Sequence, residues 1–381
     1  MKEVYFDNAA TTKMSGESLN EFAKYSCAEY GNSSSLHGKG INSEKAVLNC
    51  EKTLMDLVGA ASGNVVFTSG ATESNNLAIF GYTRPYRRSR IICSRVEHPS
   101  VTACMAELES RGFEIVWLEP DNYGRAAVGR VKELVDENTV LVSLSHVNSE
   151  TGSVNDIEAI GRAIREKNAK TVFHVDAAQS LGKLKVDVQS ARIGLLSFSS
   201  HKIHAAKGCG GLYIAKGVKV QPVFFGGKQQ RDVRSGTLNT PAIASMGVML
   251  KYFKENAANA RVNAAGIRRI ITESVENIAT VSINSPEDGS PFILNMSAVG
   301  MPSEVMMRRL EGFGIYVSAG SGCSSKSAKD RVLDYCGAGK EISSSSIRLS
   351  FSIYNTNEEA EYFCMKYSQI INEHSGSKIS K

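Results

Sequence analysis

Three segments of the chain place polar side chains where an apolar stretch ends, and each could help to bind a cofactor. In the segment 68–76 (TSGATESNN), a short β pattern passes through small residues into the start of a helix. The backbone N–H groups and the dipole of a helix start attract anions, and the Thr72 hydroxyl would add a donor. Taken alone, the segment is better explained as an ordinary strand-to-helix turn in which Thr72 caps the helix.

The second segment, 197–208 (SFSSHKIHAAKG), ends a strand pattern at a lysine, Lys202. A lysine at a buried strand end is costly unless it is paired or used covalently. Because desolvation lowers a lysine pKa, such a position favours Schiff-base chemistry. Ser199 and His201 could hold a phosphate beside it. A strand-end lysine that reaches solvent is the simpler interpretation of this segment by itself.

The third segment, 173–183 (FHVDAAQSLGK), places Asp176 at the end of an apolar strand. A buried carboxylate needs a cationic partner. A protonated pyridine nitrogen is such a partner, and the pairing makes the ring an electron sink. Gln179 could reach a hydroxyl on the same ring. Asp176 could equally be a helix N-cap, which is a common use of aspartate.

Taken together, the three segments supply a phosphate cradle, an acid for a ring nitrogen and a lysine for covalent attachment. This combination is what pyridoxal 5'-phosphate (PLP) requires of a protein.

The patterns between these segments predict the fold class. Seven short apolar stretches alternate with helical patterns and predict the strands of one sheet: 64–70, 90–94, 114–118, 139–147, 171–176, 194–200 and 210–215. Continuous apolar strands separated by helices indicate an α/β large domain with a mainly parallel, seven-stranded sheet. Four more strands with helices between them predict a smaller α+β domain: 281–284, 293–298, 315–319 and 346–352. We place the large, PLP-binding domain at 13–250 and the small domain at 251–381 together with 1–12.

Composition narrows the class of protein. The 381 residues are enough for two units, each with its own core, and the net charge of +5 is carried by scattered basic residues. Such a distribution argues against a nucleic-acid partner, and no run of 18 apolar residues predicts a membrane span. The eight cysteines include no CxxC pair, so neither a metal site nor a disulfide framework is expected. A reducing cytoplasm is the expected location.

Nine motifs follow one another along nearly the whole chain: YFDNAATT (5–12), GNSSSLHGKG (31–40), FTSGATESNNLAI (67–79), EHPSV (97–101), HVDAAQSLGK (174–183), SSHK (199–202), RSGTLN (234–239), SAGSGCSS (318–325) and SSIRLSF (345–351). With this set the chain resembles the NifS/IscS-type cysteine desulfurases, which belong to the class V aminotransferase group of fold type I PLP enzymes.

The resemblance implies a role for each matching residue. Lys202 would hold PLP covalently, Asp176 would pair with the ring nitrogen, and Gln179 would contact the ring hydroxyl. His98 would stack on the ring and move protons. The remaining cofactor contacts would come from Ala71, Thr72, Ser149, Ser199, His201 and, from a partner subunit, Thr237. The substrate would contact Asn32 and Arg348, whose planar guanidinium suits a carboxylate.

Four of these residues have simple structural alternatives. These are a loop histidine for His98, a surface strand residue for Arg348, a turn residue for Asn32 and a helix cap for Thr237.

Cys323 lies among serines, glycines and alanines, in neither a core pattern nor a metal pattern. The resemblance makes it the nucleophile of a mobile loop, which would take the sulfur of L-cysteine as a persulfide and release L-alanine. Lys326 and Lys329 would help to lower the pKa of its thiol. A homodimer is implied, with an iron–sulfur scaffold or a thiolation protein as the sulfur acceptor. A surface thiol without a role is the alternative.

Three positions depart from the family pattern. Ser149 stands where the family usually has a second asparagine, Ala205-Ala206 replace Gly-Pro, and Ser-Gly-Cys replaces Ser-Ala-Cys before the thiol. The shorter Ser149 keeps two other activities open, a selenocysteine lyase and a class V aminotransferase with another amino-acid substrate. A PLP-fold protein without turnover is a third hypothesis, which the intact Lys202, Asp176, His98 and Cys323 set argues against.

Overall fold

The computed structural model of the protein describes residues 3–319 and 332–379, with side chains up to residue 374. Its strands are β1 Val4–Tyr5, β2 Asn64–Thr68, β3 Arg90–Ser94, β4 Glu114–Leu118, β5 Thr139–Ser145, β6 Val172–Asp176, β7 Leu195–Ser199, β8 Gly210–Ile214, β9 Val281–Ile283, β10 Ile293–Ala298, β11 Ile315–Tyr316 and β12 Ser346–Ser350. Its α-helices are α1 Gly16–Ala23, α2 Gly38–Leu57, α3 Ala71–Thr83, α4 Pro99–Ser110, α5 Val128–Leu134, α6 Ile157–Lys167, α7 Thr240–Val275, α8 Ser303–Glu311, α9 Val332–Tyr335, α10 Lys340–Ser345 and α11 Asn357–Ile379.

The seven strands predicted for the large domain form one sheet in the order β2-β8-β7-β6-β5-β3-β4. All neighbours are parallel except β8, which is antiparallel to both β2 and β7. The sheet is covered on both faces because its strands alternate between two cores. Phe173 and Val175 of β6 face the core shared with α2, α6 and α7, whereas Ile91 and Cys93 of β3 face the core under α3 and α4. The predicted α/β architecture is therefore confirmed.

The last part of the chain forms a second, smaller sheet. Strands β9, β10 and β12 pair antiparallel in the order β12-β10-β9. Near them β1 pairs in parallel with β11, so that Val4 lies opposite Ile315. The start of the chain is thus joined to its end, and the same connection carries residues 6–10 past β12.

One helix differs from the sequence-based expectation. The predicted domain boundary at residue 250 falls inside α7, which runs without interruption through 36 residues. Its start is marked by Asn239, whose side chain accepts a hydrogen bond from the amide of Ala242, and by Pro241 in the first turn. The division at 13–250 and 251–381 therefore stays a proposal about domains, with α7 as the element shared between them.

The cysteines agree with the expectation of a reduced interior. Of those in the described residues, Cys27 is exposed and the others are buried as free thiols. Cys50 packs on α2 with Val47 and Leu54, as the helical pattern predicts. Among the helices of the described residues, none is both long and apolar enough to cross a membrane.

Candidate active site

Nine of the predicted site residues line one cavity of about 490 Å³, which lies at the carboxyl ends of the strands β2, β5, β6 and β7. They are Ala71, Thr72, His98, Ser149, Asp176, Gln179, Ser199, His201 and Lys202. In open α/β sheets, ligands bind at this edge because the strand-to-helix loops converge there. The volume is that of a pocket for a cofactor and a small substrate.

Lys202 reaches the cavity from a single 3₁₀ turn, Ser200–Lys202, that follows β7. Its Nζ donates hydrogen bonds to the backbone carbonyls of Ala9 and Ala10, the second at 2.8 Å. The turn is fixed from below, because the buried Ser200 hydroxyl donates to the carbonyls of Ala206 and Cys209. The Ala205-Ala206 departure thus forms a buried, hydrogen-bonded turn beneath the lysine. The amine is held at one position of the cavity wall.

Asp176 ends β6 and is 6% exposed. Its Oδ2 accepts a hydrogen bond from the side-chain amide of Asn75 at 2.8 Å, and its Oδ1 accepts one from the backbone amide of Ala178 at 2.9 Å. None of the ion pairs among the described residues involves Asp176. A buried carboxylate in this position can therefore accept a cationic partner from a ligand.

His98 precedes α4, and its Nδ1 lies 2.8 Å from the Ser100 hydroxyl and 3.1 Å from the Ser100 backbone nitrogen. The amide of Asn75 donates to the Ser100 oxygen, so the hydroxyl proton of Ser100 is free to point at His98. Because Nδ1 accepts both bonds, the neutral ring carries its proton at Nε2. Burial lowers the pKa of His98, the Asp176 charge raises it and the Lys202 charge lowers it. The ring is therefore neutral at pH 7.

Gln179 gives a direct test of whether PLP fits. Its Nε2 donates to the carbonyl of Ala9 at 3.0 Å, but its Oε1 is buried without a hydrogen-bond partner among the described residues. An unmatched buried acceptor costs about 1–3 kcal/mol. The ring hydroxyl of PLP would be the donor that this oxygen lacks.

The other end of the cavity is built to hold an anion. Helix α3 begins at Ala71, directly after Gly70, whose φ of 151° is favourable for glycine. Gly210, the first residue of β8, lets this loop pass close to β8, since a Cβ on Gly210 would come within 2.7 Å of the Gly70 Cα. Ser199, His201 and Lys207 also face this end. Burial, with help from Lys202, Lys207 and Lys183, lowers the pKa of His201 to about 4, so the ring is neutral at pH 7 and has one N–H group that can donate.

Three predicted residues do not line the cavity of this chain. Asn32 is exposed in a turn, where its Oδ1 accepts from the Ser34 amide at 2.9 Å. Thr237 is also exposed. Arg348 is buried behind the cavity, and its Nη1 donates to the carbonyl of Ser149 at 2.9 Å. The roles of Asn32, Thr237 and Arg348 remain predictions. Cys323 lies outside the described residues.

Several residues that position the side chains of the cavity were not predicted from the sequence. Asn75 and Ser100 connect Asp176 to His98. The backbone of Ala9 and Ala10 contacts Gln179 and Lys202. Ala9 and Ala10 lie in YFDNAATT, one of the nine motifs of the resemblance, so this motif could have indicated that the start of the chain contacts the site. Asn75 and Ser100 lie in the segments TSGATESNN and EHPSV, which could likewise have indicated that both residues belong to the site.

A larger cleft of about 930 Å³ lies at the opposite, amino ends of β6 and β7. Its wall includes Lys170, Arg192 and Lys216, which are exposed, and the buried Tyr213. The described residues that line it include none of the predicted site residues. Within the described part of the chain there is also no group of three His, Cys, Asp or Glu side chains that could hold a metal ion. We therefore assign the chemistry to the smaller cavity.

The fold and this cavity define a fold type I PLP-type enzyme, and the chain belongs to the aminotransferase class-V family, which matches residues 4–363. Among curated proteins it is similar to the cysteine desulfurase IscS of Pseudomonas putida, with 37% identity over 381 residues, 97% of this chain and 93% of that protein. Among solved structures it is similar to a NifS-like protein with a TM-score of 0.91 and 33% identity, covering 97% of this chain and 100% of that one. A structure described as SspA in complex with cysteine is similar with a TM-score of 0.81 and 31% identity, over 93% and 100% of the two chains.

Proposed function

We propose that this protein is a PLP-dependent cysteine desulfurase, which converts L-cysteine to L-alanine and leaves the sulfur as a persulfide on Cys323. The observation that carries the proposal is a single cavity onto which the amine of Lys202, the buried carboxylate of Asp176 and the ring of His98 all face. Relatives of at least 30% identity are named cysteine desulfurase or were solved with cysteine. This favours cysteine over the selenocysteine and amino-transfer alternatives that Ser149 left open.

PLP, when bound, supplies an electron sink for the charge that develops at the substrate carbon. Lys202 would hold it covalently through Nζ. Asp176 would keep the ring nitrogen protonated, since a buried carboxylate stabilises a nearby cation. Gln179 would accept a hydrogen bond from the ring hydroxyl at Oε1. The start of α3, with Thr72, would hold the phosphate.

His98 is the residue suited to move the proton. Its lowered pKa keeps it neutral near pH 7, and its proton is directed to Nε2 by the two donors at Nδ1. A neutral ring can give this proton to the substrate and take one back without passing through a highly charged state. Its position before α4 fixes the ring through Ser100.

The sulfur transfer balances without an external oxidant. The thiolate of Cys323 attacks the sulfur of L-cysteine, the carbon–sulfur bond breaks, and its electron pair returns to the carbon, which takes a proton. The carbon is reduced, and the sulfur pair of the persulfide is oxidised to the same extent. L-Cysteine and one thiol thus give L-alanine and one persulfide. The role of Cys323 rests on the motif SAGSGCSS.

The assembly and the partners follow from the same proposal. Thr237 is exposed, and the nearby Phe224 and Phe225 have 51% and 73% of their surfaces exposed, which supports a homodimer in which Thr237 reaches the phosphate in the partner subunit. An iron–sulfur scaffold or a thiolation protein would take the sulfur. The free thiols of the described residues support a cytoplasmic location.

The activity is tested with the PLP-loaded protein, L-cysteine and a thiol reductant, by measuring sulfide and alanine. We expect equal amounts of both, and we expect Cys323→Ala to lose sulfide release. Cys27→Ala, which removes an exposed thiol elsewhere, is the matched control and should keep the parent rate. A Cys323→Ala variant as fast as the parent would exclude the persulfide route. A parent that binds PLP yet makes no sulfide would exclude the desulfurase.

A further inference from the structure

We propose that Asp7 sets the affinity of this enzyme for the substrate carboxylate, by occupying the guanidinium of Arg348 until the substrate displaces it. The inference rests on the proposed function, in which Arg348 binds the carboxylate of an amino acid. In addition, Asp7 of the same chain would compete with the substrate carboxylate for Arg348. Asp7 lies in the motif YFDNAATT, to which no role was given.

The contacts of Arg348 leave little room for a second anion. The residue lies on β12 and is 1% exposed. Its Nη2 donates to Oδ1 of Asp7 at 2.8 Å, and its Nη1 donates to the carbonyl of Ser149 at 2.9 Å. Its Nε is buried without a hydrogen-bond partner among the described residues. Among the described residues, Nε therefore has no acceptor, whereas Nη1 and Nη2 make these hydrogen bonds to Ser149 and Asp7.

The backbone on both sides of Asp7 is fixed, so the carboxylate is directed at Arg348 by the fold. The amide of Ser350 donates to the carbonyl of Phe6 at 2.7 Å, and the amide of Ala9 donates to the Ser350 hydroxyl at 2.8 Å. Asp7 itself lies opposite Ser350 in a parallel bridge. Beyond it, Ala9 and Ala10 contact Lys202. Residues 7–10 thus connect the two ends of the proposed substrate site.

The charge of Arg348 explains why a carboxylate is present at all. A buried guanidinium without a counter-ion is strongly destabilising, and Asp7 is its ion-pair partner among the described residues. A substrate carboxylate supplies the same negative charge. Two carboxylates on one guanidinium repel each other, so the second binds by replacing the first.

The two contacts of Arg348 differ in how easily they can be exchanged. Ser149 contributes a backbone carbonyl, which belongs to a fixed turn. In this turn the side-chain oxygen of Asn148 accepts hydrogen bonds from the amides of Glu150 and Thr151. Asp7 contributes a side chain that is 22% exposed and can rotate. Ser149 also lines the cavity, which places the guanidinium next to the space for the substrate. The exchange therefore takes place at Asp7, and the Asp7-bound state reduces the apparent affinity for substrate.

The test is Asp7→Asn in the PLP-loaded enzyme. The amide keeps the shape and the acceptor oxygen but removes the negative charge, so the ion pair with Arg348 becomes a hydrogen bond in which only the donor is charged. We expect KM for L-cysteine to fall by about threefold to tenfold, with the change in KM rather than in kcat, because a like charge near the incoming carboxylate is removed. Glu311→Gln is the matched control. It removes one exposed negative charge at the end of α8 and should leave KM at the parent value.

A binding measurement separates this inference from the desulfurase proposal. L-Alanine is titrated while the absorbance of bound PLP is followed, and we expect the Asn variant to bind it more tightly by the same factor. Cysteamine, which lacks a carboxylate, should bind the parent and the variant equally. If the parent makes no sulfide but the variant binds L-alanine more tightly, the desulfurase proposal fails and the Asp7 inference stands.

The opposite results would overturn the inference. An Asn variant with unchanged or weaker L-alanine binding and a higher KM would show that Asp7 only holds Arg348 in place. A thermal unfolding scan checks that the variant is folded. If Asp7→Asn does not fold, Asp7→Ser, which is also neutral, goes through the same two titrations.

Discussion

At the scale of single residues, Asp176 and His98 are joined by the side chains of Asn75 and Ser100. The one amide nitrogen of Asn75 donates to Asp176 and to the Ser100 hydroxyl, at 2.8 and 2.9 Å. This leaves the Ser100 proton no better acceptor than Nδ1 of His98, at 2.8 Å. The carboxylate that would hold the cofactor ring thus also determines which nitrogen of the histidine carries the proton.

Replacing Ser100 with alanine tests this connection. The backbone amide still donates to His98, so the ring stays near its place, but one of the two donors at Nδ1 is lost. We expect kcat for alanine formation to fall by about tenfold, a fraction of what a positioned acid–base group contributes. Protonation at Nδ1 also becomes easier, so the acid limb of the pH–rate profile should move to higher pH.

The control for Ser100→Ala lies at the other end of the same helix. Ser110 is exposed and its hydroxyl donates to the carbonyl of Glu107 in its own helix, so Ser110→Ala should keep the parent profile. If Ser100→Ala changes neither the rate nor the acid limb, His98 does not depend on this donor.

The site residues that could be predicted from the sequence share one property. Asp176 and Ser199 each end a continuous apolar strand, and Lys202 follows the second of these strands in a 3₁₀ turn. Parallel strands bring such ends to one edge of the sheet. Asn75 and Asp7 could not be found in this way. Their partners, Asp176 and Arg348, are 101 and 341 residues away in the chain, and only the packing of the elements brings them together.

At the scale of elements, the strands were predictable and the longest helix was not. Strands buried on both faces are continuous apolar runs, so all seven were recognised. Helix α7 passes from the buried Phe253 through the stretch 254–259, in which no residue is buried, before its buried positions return at Ala260. This stretch begins four residues after the boundary predicted at residue 250, and it interrupts the amphipathic pattern that would have indicated one continuous helix. Its N-cap Asn239 with Pro241 was the signal that places the true start.

Two helical glycines offer a matched test of element packing. Gly161 of α6 faces the loop before β7 so closely that a Cβ would lie 1.8 Å from the carbonyl of Ala191. Gly161→Ala should therefore lower the free energy of unfolding by about 1–3 kcal/mol, the usual cost of overpacking. A Cβ on Gly129 of α5 would meet no atom of the described residues within 4 Å. Gly129→Ala should therefore be neutral or stabilising by up to about 1 kcal/mol. Urea unfolding of both variants decides, and equal effects would contradict the close approach of α6.

At the scale of the whole molecule, stability should depend on pH through groups that the fold keeps uncharged. Burial lowers the pKa of four histidines to about 4, and they are His146, His174, His201 and His204. Burial also raises the pKa of Glu97 to about 8. Between pH 6.5 and 4.5 the unfolded histidines take up protons that the folded ones refuse, which favours unfolding. Over the same range the folded Glu97 already holds a proton that the unfolded one largely lacks, which favours folding as the pH falls. Four groups outweigh one, so the free energy of unfolding should decrease as the pH falls through this range.

His146 is the group of choice for measuring this effect. It lies outside the cavity, is 5% exposed, and its Nδ1 has no hydrogen-bond partner among the described residues. With a pKa of about 4 in the folded chain against 6.5 in the unfolded one, it accounts for a loss of about 2 kcal/mol between pH 7 and pH 5. His146→Asn should reduce the parent's loss over this interval by that amount, measured by urea unfolding at both pH values. His37→Asn, which replaces an exposed N-cap by another good one, should leave the loss unchanged. If both variants lose as much stability as the parent, the buried histidines do not control the acid sensitivity of this fold.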